Sequence, residues 1–476
     1  MSSDTLKDGL PSSRVQEMAS FPSDDPQNPV NFSKVRKWHI VIAGIVFCFN
    51  SAMGSSLPSG ASSEISEYFN VESDTKLVLL NSLYLIGYAV GPLIFGPMSE
   101  YLGRRPVLIG SYIGYTMFTM ACALAPSYSS LLGFRLLCGL NAATPNAVLG
   151  GLYSDIYDHP KERGIAMSLF MFVTPFGPEL SPMISGFIAT VSWQWTFWVG
   201  LITAGVGLPL VLLLPETYAP VLIQKRQRKV QGLDQDKGTS SPNKPSLSAI
   251  GLIFTRPFVM TIREPLVLFT SLYLALIYSV FYLFFQAYPI VFQDLYGMTP
   301  GVAGLAFIPM MVGSSLGLVM FFLYSSFHEK AVNANHTWAK QEEYRRLPLG
   351  CVGAPGIVIA LFWLGWSSSK SIHPIMPMMS GLFFGAGYLL IFIAMLNYLT
   401  DAYKQNSASA QAAASTIRSI TAVCLPLATR PMYNALGIPW ASSLLGFCAL
   451  GMAVIPFIFM KYGYWLRKKS AYCQTS

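Results

Sequence analysis

The sequence contains little charge for a chain of its length. Of its 476 residues, 11% are Asp, Glu, Lys or Arg, and 53% are hydrophobic. Soluble domains carry about 25% charged residues, so this chain has too few to cover the surface of a soluble globule. The composition therefore predicts that lipid surrounds most of the protein.

The sequence also lacks the common signatures of catalysis, metal binding and secretion. It has no G-x-x-x-x-G-K-[ST] phosphate loop, no nucleophile elbow and no zinc motif, which argues against an ATP-driven engine and against an enzyme. Its 7 cysteines and 5 histidines show no ligand spacing, so we expect no disulfide framework, no metal and no cofactor. Residues 1–32 are polar and lack the apolar core of a secretory signal.

Long apolar runs account for most of the chain. A membrane-spanning helix needs roughly 20 mostly apolar residues, and about twelve such runs are present. They occupy residues 39–59, 77–98, 106–125, 129–153, 164–190, 195–214, 265–285, 302–324, 349–366, 375–396, 409–429 and 441–460. The pattern predicts an all-α membrane protein whose helices form two six-helix bundles, with the lipid bilayer as its main partner.

A polar stretch between the sixth and seventh runs divides the chain. We expect a disordered tail at 1–37, a first bundle at 38–215, a linker at 216–262, a second bundle at 263–462 and a tail at 463–476. The formal net charge of +8 lies in the short segments between apolar runs and not on one face, which argues against nucleic acid as a partner. Lys and Arg concentrate in the segments on the side of the N-terminus, so both termini are predicted to be cytoplasmic.

The segment after the second run combines an acid, a turn and two arginines. It reads GPMSEYLGRR, from Gly96 to Arg105. Gly103 permits a tight turn, and Glu100 is expected to bind an arginine or a helix N-terminus of the opposite half. Such contacts predict a cytoplasmic gate. The alternative is a short, positively charged loop. The gate residues are Gly96, Glu100, Gly103, Arg104 and Arg105.

A second motif, GPELSPMISG, lies within the fifth run. With the loop above, it makes the sequence resemble the major facilitator superfamily, whose signature loop is G-x-x-x-[DE]-x-x-G-R-[RK]. It is similar in particular to the twelve-span fungal drug:proton antiporters, whose antiporter motif reads Gly-Pro-x-x-Gly-Pro-x-x-Gly-Gly. Serine replaces two of those glycines, at Ser181 and Ser185. The candidate motif residues are Gly177, Pro178, Ser181, Pro182 and Gly186.

The resemblance extends from about residue 38 to residue 469. It implies a major facilitator fold and proton-coupled efflux of small hydrophobic or amphipathic compounds, such as drugs, toxins or secondary metabolites, by a monomer in the plasma membrane. The alternative is a polyamine or small-nutrient transporter of the same superfamily. Polyamines would require several cavity carboxylates, and sugar carriers repeat the acid-Gly-Arg-Arg loop, which residues 327–347 lack. A non-transporting sensor or a membrane enzyme would require a large soluble domain or a catalytic cluster.

Two ionisable residues within the apolar runs are candidates for proton coupling, because such side chains are costly in lipid. Arg135 matches the family's intramembrane arginine motif, which implies a role in coupling. The alternative is a structural arginine that is bonded to backbone carbonyls or extends toward a membrane interface. Glu179 lies between two Gly-Pro pairs and is predicted to carry a proton, with cation binding and structural hydrogen bonding as alternatives.

Polar side chains on several runs are candidates for substrate binding. Tyr278, Tyr282 and Gln286 recur every four residues on one helical face. This arrangement suits stacking on an aromatic or cationic substrate, or packing between helices. In the superfamily that the sequence resembles, the corresponding helix borders the cavity. The other cavity candidates are Asn50, Asn141, Asn146, Tyr388 and Asn397.

Overall fold

A computed structural model describes residues 25–230, 259–403, 407–470 and 473 of the chain. These residues form helices joined by short connections, and the described part contains no β-strand. Helices suit an apolar chain because they satisfy their backbone hydrogen bonds internally where no water is present. The predicted all-α class is confirmed.

The first group of helices lies before residue 231. Their bounds are α1 Lys34–Ser56, α2 Ser62–Phe69, α3 Asp74–Leu102, α4 Arg104–Ala123, α5 Tyr128–Ala142, α6 Thr144–Ile156, α7 Pro160–Ile188, α8 Trp193–Leu212 and α9 Ala219–Val230. Serine side chains cap two of them: Ser33 Oγ accepts from Arg36 N at 3.4 Å before α1, and Ser127 Oγ accepts from Ser130 N at 3.3 Å before α5.

The second group of helices follows residue 258. Their bounds are α10 Pro265–Tyr288, α11 Pro300–Gly304, α12 Ile308–Asn333, α13 Glu342–Ser367, α14 Ile375–Tyr403 and α15 Ser407–Lys469. A π-helical segment, Pro289–Leu295, extends α10. Gly437, with φ 74° and ψ 164°, interrupts α15, so this stretch consists of two successive helices.

The helices account for the predicted spans. Within the described ranges, 9 helices are long and apolar enough to cross a membrane. Three more spans bring this number to about the twelve runs expected at roughly 20 residues each. One comes from counting the two helices of α15 separately, one is α5 together with α6, and one is the proline-rich α7. Large apolar side chains such as Val206, Leu323 and Trp366 are exposed on the outer surface, as a lipid-facing protein requires.

The helix contacts repeat between the two groups. In the first group α1 packs on α7, α3 on α5 and α4 on α8. In the second, α10 packs on α15, α12 on α14 and α13 on α15. This repetition is what two related six-helix bundles produce. The limits of the linker stay a prediction, because residues 231–258 lie outside the described part.

The two halves meet along two sets of helices. α3 of the first half contacts α15, and α7 contacts α11 and α12 of the second half. We name the two ends of the bundle by their residues. The Arg104 end is where α3 ends and α4 begins, and the Arg430 end is where α7 ends and α12 begins.

Candidate functional site

The turn at Gly103 joins α3 to α4, and a carboxylate closes it. Gly103 adopts φ 101° and ψ 162°, a region that is essentially restricted to glycine. Glu216 Oε1 accepts from Arg104 N at 2.9 Å, and Oε2 accepts from Arg105 N at 3.2 Å. Oε1 also accepts from the backbone N–H of the two residues after Glu216, each at 3.0 Å. Glu216 therefore caps the N-terminus of α4, where the helix dipole favours negative charge.

The Arg104 side chain is buried and connects this turn to α6. Its Nε donates to Asp155 Oδ2 at 3.3 Å, and its Nη1 donates to Ser99 Oγ at 2.7 Å. The guanidinium also lies over the Tyr218 ring, 4.9 Å from its centroid. The contacts of Arg104 therefore lie within the first half.

The predicted role of Glu100 is filled by a different acid. Glu100 is exposed, and in the part of the chain that the structure describes it forms no ion pair with an arginine. It lies close to Tyr218: burial raises the pKa of that phenol, and the Glu100 carboxylate raises it further. Glu216 caps the N-terminus of α4 instead. This contact lies within the first group of helices, whereas the predicted contact of Glu100 was with the opposite half. The sequence feature that could have identified Glu216 is its position in the segment Pro-Glu-Thr, directly after the sixth apolar run.

An equivalent of the Arg104 ion pair occurs in the second half. Arg346 at the start of α13 donates from Nε to Asp401 Oδ2 near the end of α14, at 3.3 Å. Arg104 at the start of α4 makes the same contact with Asp155 near the end of α6. The sequence did not reveal this pair, because residues 327–347 lack the acid-Gly-Arg-Arg pattern.

Arg135 is fully engaged by backbone oxygens. It is 1% exposed. It donates from Nε to Leu80 O at 2.9 Å, from Nη1 to Gly54 O at 2.6 Å and from Nη2 to Ser55 O at 3.0 Å. The guanidinium lies over the Tyr84 ring at 4.4 Å. This geometry is that of the structural alternative, since these contacts bind α1, α3 and α5 together.

The antiporter-like motif on α7 packs its first half against α1. A Cβ on Gly177 would come within 2.7 Å of Met53 N, so a larger residue would separate the two helices. Ser181 Oγ donates to Met53 O at 2.8 Å, and Ser56 Oγ donates to Pro178 O at 2.9 Å. Serine in place of the motif glycine thus adds a hydrogen bond between helices.

The end of the same motif contacts the second half of the protein. A Cβ on Gly186 would lie 2.7 Å from Pro300 O, and one on Gly304 would lie 2.7 Å from Met183 Cα. Backbone therefore packs directly on backbone between α7 and α11. We call this contact the glycine seam, formed by Gly186, Pro300 and Gly304. It closes the Arg430 end, where Arg430 of the second half also binds Asp74 of the first at 3.3 Å.

Glu179 lies on α7 at the boundary between the halves. It is 1% exposed, and its Oε1 accepts from Ser314 Oγ of α12 at 3.4 Å. Its Oε2 is buried without a hydrogen-bond partner. Tyr288 and Tyr388 lie near enough to interact with it electrostatically. An unpaired buried carboxylate oxygen is costly, so binding a proton, a cation or a donor group there is favourable.

The structure brings three of the predicted cavity tyrosines into one cluster. We define the aromatic cluster as Tyr278, Phe281, Tyr282, Tyr388 and Phe392. The ring centroids of Tyr388 and Phe392 are 4.4 Å apart, and those of Tyr278 and Tyr282 are 5.0 Å apart. Tyr282 also forms a hydrogen bond at 2.9 Å with the Ser55 hydroxyl of the first half. The cluster therefore lies against the boundary.

The asparagine candidates do not join this cluster. Asn50 donates to Val46 O at 2.9 Å and faces α8 within the first half. Asn141 lies against Gly114 of α4, where a Cβ would come within 2.5 Å of its Oδ1. Asn146, Gln286 and Asn397 are partly exposed. The sequence favours a structural or ion-pair role for Arg418 of α15; in the structure its guanidinium lies over the cluster.

Comparisons with known proteins agree with this architecture. The family model of the Major Facilitator Superfamily matches residues 42–426. The efflux pump FUB11 of Gibberella moniliformis is 36% identical over 95% of this chain and 77% of its own length. The multidrug transporter mdrA of Aspergillus fumigatus is also 36% identical, over 95% of this chain and 75% of its own length.

Solved structures show the same fold at low sequence identity. The proton:xylose symporter XylE is 18% identical and superposes with a TM-score of 0.66, covering 90% of this chain and 96% of its own. A second XylE structure, in a partially occluded inward-open conformation, gives a TM-score of 0.62 at 16% identity, covering 89% of this chain and 98% of its own. With the matched family and the relatives above, these findings establish that the chain belongs to the Major Facilitator Superfamily of membrane transporters.

Proposed function

We propose that the chain is a proton-coupled antiporter that exports small hydrophobic or amphipathic compounds, such as drugs, toxins or secondary metabolites. It acts in the plasma membrane as a monomer with both termini in the cytoplasm. It is a transporter and not an enzyme, and it uses the proton gradient in place of a cofactor. The relatives named as efflux pumps and multidrug transporters support the export direction and the substrate class.

The observation that carries the proposal is the position of Glu179. Its carboxylate is buried at the boundary, and its Oε1 contacts Ser314 of the other half while Oε2 has no partner. A proton would remove the cost of the buried charge. Because the contact with Ser314 crosses the boundary, the charge of Glu179 is linked to whether the halves are closed at that depth.

The closed Arg430 end indicates which conformational change the proposed export needs. With the termini in the cytoplasm, this end faces the outside, and the glycine seam and the Arg430–Asp74 ion pair keep it shut. Export requires these contacts to separate, so that the substrate can leave to the outside. Protonation of Glu179 from the outside then favours return to the conformer described here.

The polyamine alternative is less favourable at this boundary. A polyamine carries several positive charges, and Arg418 places a positive charge against the aromatic cluster. Like charges in a region of low dielectric repel strongly. We therefore keep amphipathic compounds as the proposed substrates.

The test uses the purified full chain in liposomes with an acidic lumen. Lumenal pyranine reports pH, and the neutral amphipathic dye Nile red is the probe. An antiporter moves dye inward as protons leave, so adding dye raises lumenal pH, and nigericin abolishes gradient-driven accumulation. Protein-free liposomes correct for partitioning. Dye accumulation that persists unchanged after nigericin, or no difference from protein-free liposomes, contradicts the proposal.

A matched pair of variants separates the role of Glu179 from general damage. Glu179→Gln should lose accumulation driven by the gradient and retain exchange of labelled for unlabelled dye. Glu264→Gln alters another buried acid, one that accepts from the Tyr403 hydroxyl at 2.9 Å within the second half, and should retain coupling. Equal loss of coupling in both variants would remove the special role of Glu179.

A further inference from the structure

Arg418 has donors without a matching acceptor. Its Nη2 donates to Ser415 Oγ at 3.3 Å on the same helix, and its Nε is buried without a hydrogen-bond partner. In the described ranges no carboxylate forms an ion pair with it. A guanidinium offers five N–H donors and stays charged, so an unpaired one within a membrane domain is costly.

Arg135 shows how the same side chain is satisfied elsewhere in this protein. Arg135 uses three nitrogens on three carbonyl oxygens and is 1% exposed. Arg418 is neither fully buried nor fully exposed. The contacts of Arg135 are those of a structural arginine, because each of its three nitrogens has an acceptor. A structural role does not account for Arg418 in the same way, because its Nε has no acceptor. An external acceptor can reach Arg418 because its side chain is partly accessible.

The surroundings of Arg418 favour a flat organic anion. Its guanidinium carbon lies 5.4 Å from the Tyr278 ring centroid and 5.7 Å from that of Phe392. Tyr388 stacks on Phe392 with an angle of 20° between the rings. Aromatic walls bind a flat apolar body, and a guanidinium binds a carboxylate through two parallel hydrogen bonds. One positive charge matches one carboxylate, whereas a doubly charged phosphate would remain partly uncompensated.

We propose that Arg418 and the aromatic cluster form a subsite for the carboxylate of an aromatic or similarly flat amphipathic substrate. This inference rests on the proposed export function and deepens it, because it gives the transporter a preference for weak organic acids in their ionised form over neutral compounds of similar shape, which it also transports. Arg418 binds the carboxylate, and the rings of Tyr388 and Phe392 hold the apolar body. Glu179 lies near Tyr388, one of these rings, and keeps the proposed role of binding the proton.

The test compares two probes of the same shape that differ in charge. Binding of radiolabelled 2-naphthoate and 2-naphthamide to the purified full chain is measured at neutral pH, where naphthoate is ionised. A charge-assisted hydrogen bond favours the charged probe by about tenfold or more in affinity. Wild-type protein should therefore bind naphthoate more tightly than naphthamide by at least that factor. Equal affinities, or no binding of naphthoate, overturn the proposal without any variant.

Three variants test whether Arg418 causes the preference for naphthoate over naphthamide. Arg418→Gln should remove the preference for naphthoate and leave naphthamide affinity unchanged. Arg418→Lys should keep part of the preference, since lysine retains the charge but not the two-point geometry. Lys370→Gln, which removes an exposed cation outside the cluster, should bind like wild type. Size-exclusion profiles establish folding. A naphthoate preference that survives in Arg418→Gln also overturns the proposal.

The outcome is separable from that of the export proposal. Gradient-driven accumulation of Nile red does not depend on a carboxylate. If Nile red accumulates and naphthoate shows no preference, the subsite is wrong and the export function stands. If naphthoate binds preferentially and no gradient-driven transport occurs, the subsite stands and the coupled export does not.

Discussion

Replacing Gly103 with alanine tests the description of the turn between α3 and α4. At φ 101° and ψ 162°, a residue with a Cβ is strained by about 1–3 kcal/mol. The new Cβ would also overlap Glu216 Oε2 and lie 2.8 Å from its Cδ. The carboxylate must then move, and losing a hydrogen bond to a charged group costs about 1.5–3 kcal/mol. Gly103→Ala should therefore lower the free energy of unfolding by about 2.5–6 kcal/mol, from the sum of these two contributions.

The steric part of this cost is isolated by a double-mutant cycle. In a Glu216→Ala background the Cβ meets no carboxylate, so Gly103→Ala should cost only the backbone strain of about 1–3 kcal/mol. Gly110→Ala, in α4 where a Cβ meets nothing within 4 Å, is the control. It should stabilise the helix by about 0.5–1 kcal/mol.

The assay is equilibrium unfolding of the purified full chain in mixed detergent micelles, followed by tryptophan fluorescence. The reasoning is refuted if Gly103→Ala is as harmless as Gly110→Ala. It is also refuted if Gly103→Ala costs the same with and without Glu216, because the collision would then contribute nothing.

Two further predictions concern a partly exposed arginine, Arg430, and a buried one, Arg135. Arg430→Gln removes an exposed ion pair with Asp74, worth about 0.2–1 kcal/mol, so it should raise the population open at the Arg430 end by no more than about fivefold. Spin-label distances across that end measure this, and high salt should have the same effect on wild type; a change in the opposite direction contradicts it. Arg135→Lys keeps the charge but not the three-carbonyl geometry and should cost about 2–4 kcal/mol of stability. The surviving protein should keep its proton-to-substrate ratio, and a changed ratio would restore the coupling role.

The spans were predictable because hydrophobicity along the chain reports them directly. A run long enough to cross lipid is visible without any partner, and the helices lie close to the predicted runs. The interruption at Gly437 falls in the gap between the predicted runs 409–429 and 441–460. The division between α5 and α6 was not visible, because it does not break the apolar run 129–153.

The site was predictable to a smaller extent, because side-chain direction depends on packing between helices. The spacing of Tyr278 and Tyr282 placed them on one face, and the structure assembles them with Tyr388. Asn141 carried the same polar signal, but its face of α5 packs on α4 instead of the boundary.

The acid near the Gly103 turn was misassigned for a different reason. Glu100 is close in sequence, and Glu216 is far away in sequence but adjacent in space. Only the fold brings the end of the sixth run to the start of the third. Arg418 was expected to be structural or an ion-pair partner, and its lack of a counter-ion in the described part of the chain becomes visible only once its neighbours are known.

The glycine seam also bears on leakage. Where bulky side chains close a pathway, rotamer changes open small gaps, and water or protons pass through them. At the seam the backbones of α7 and α11 touch directly at Gly186 and Gly304, and the Phe187 ring of α7 covers Gly301 beside them. At Gly186 and Gly304 a path can open only if α7 and α11 move apart. Under the proposed proton coupling, direct backbone contact of this kind limits the loss of protons through the closed Arg430 end between transport cycles.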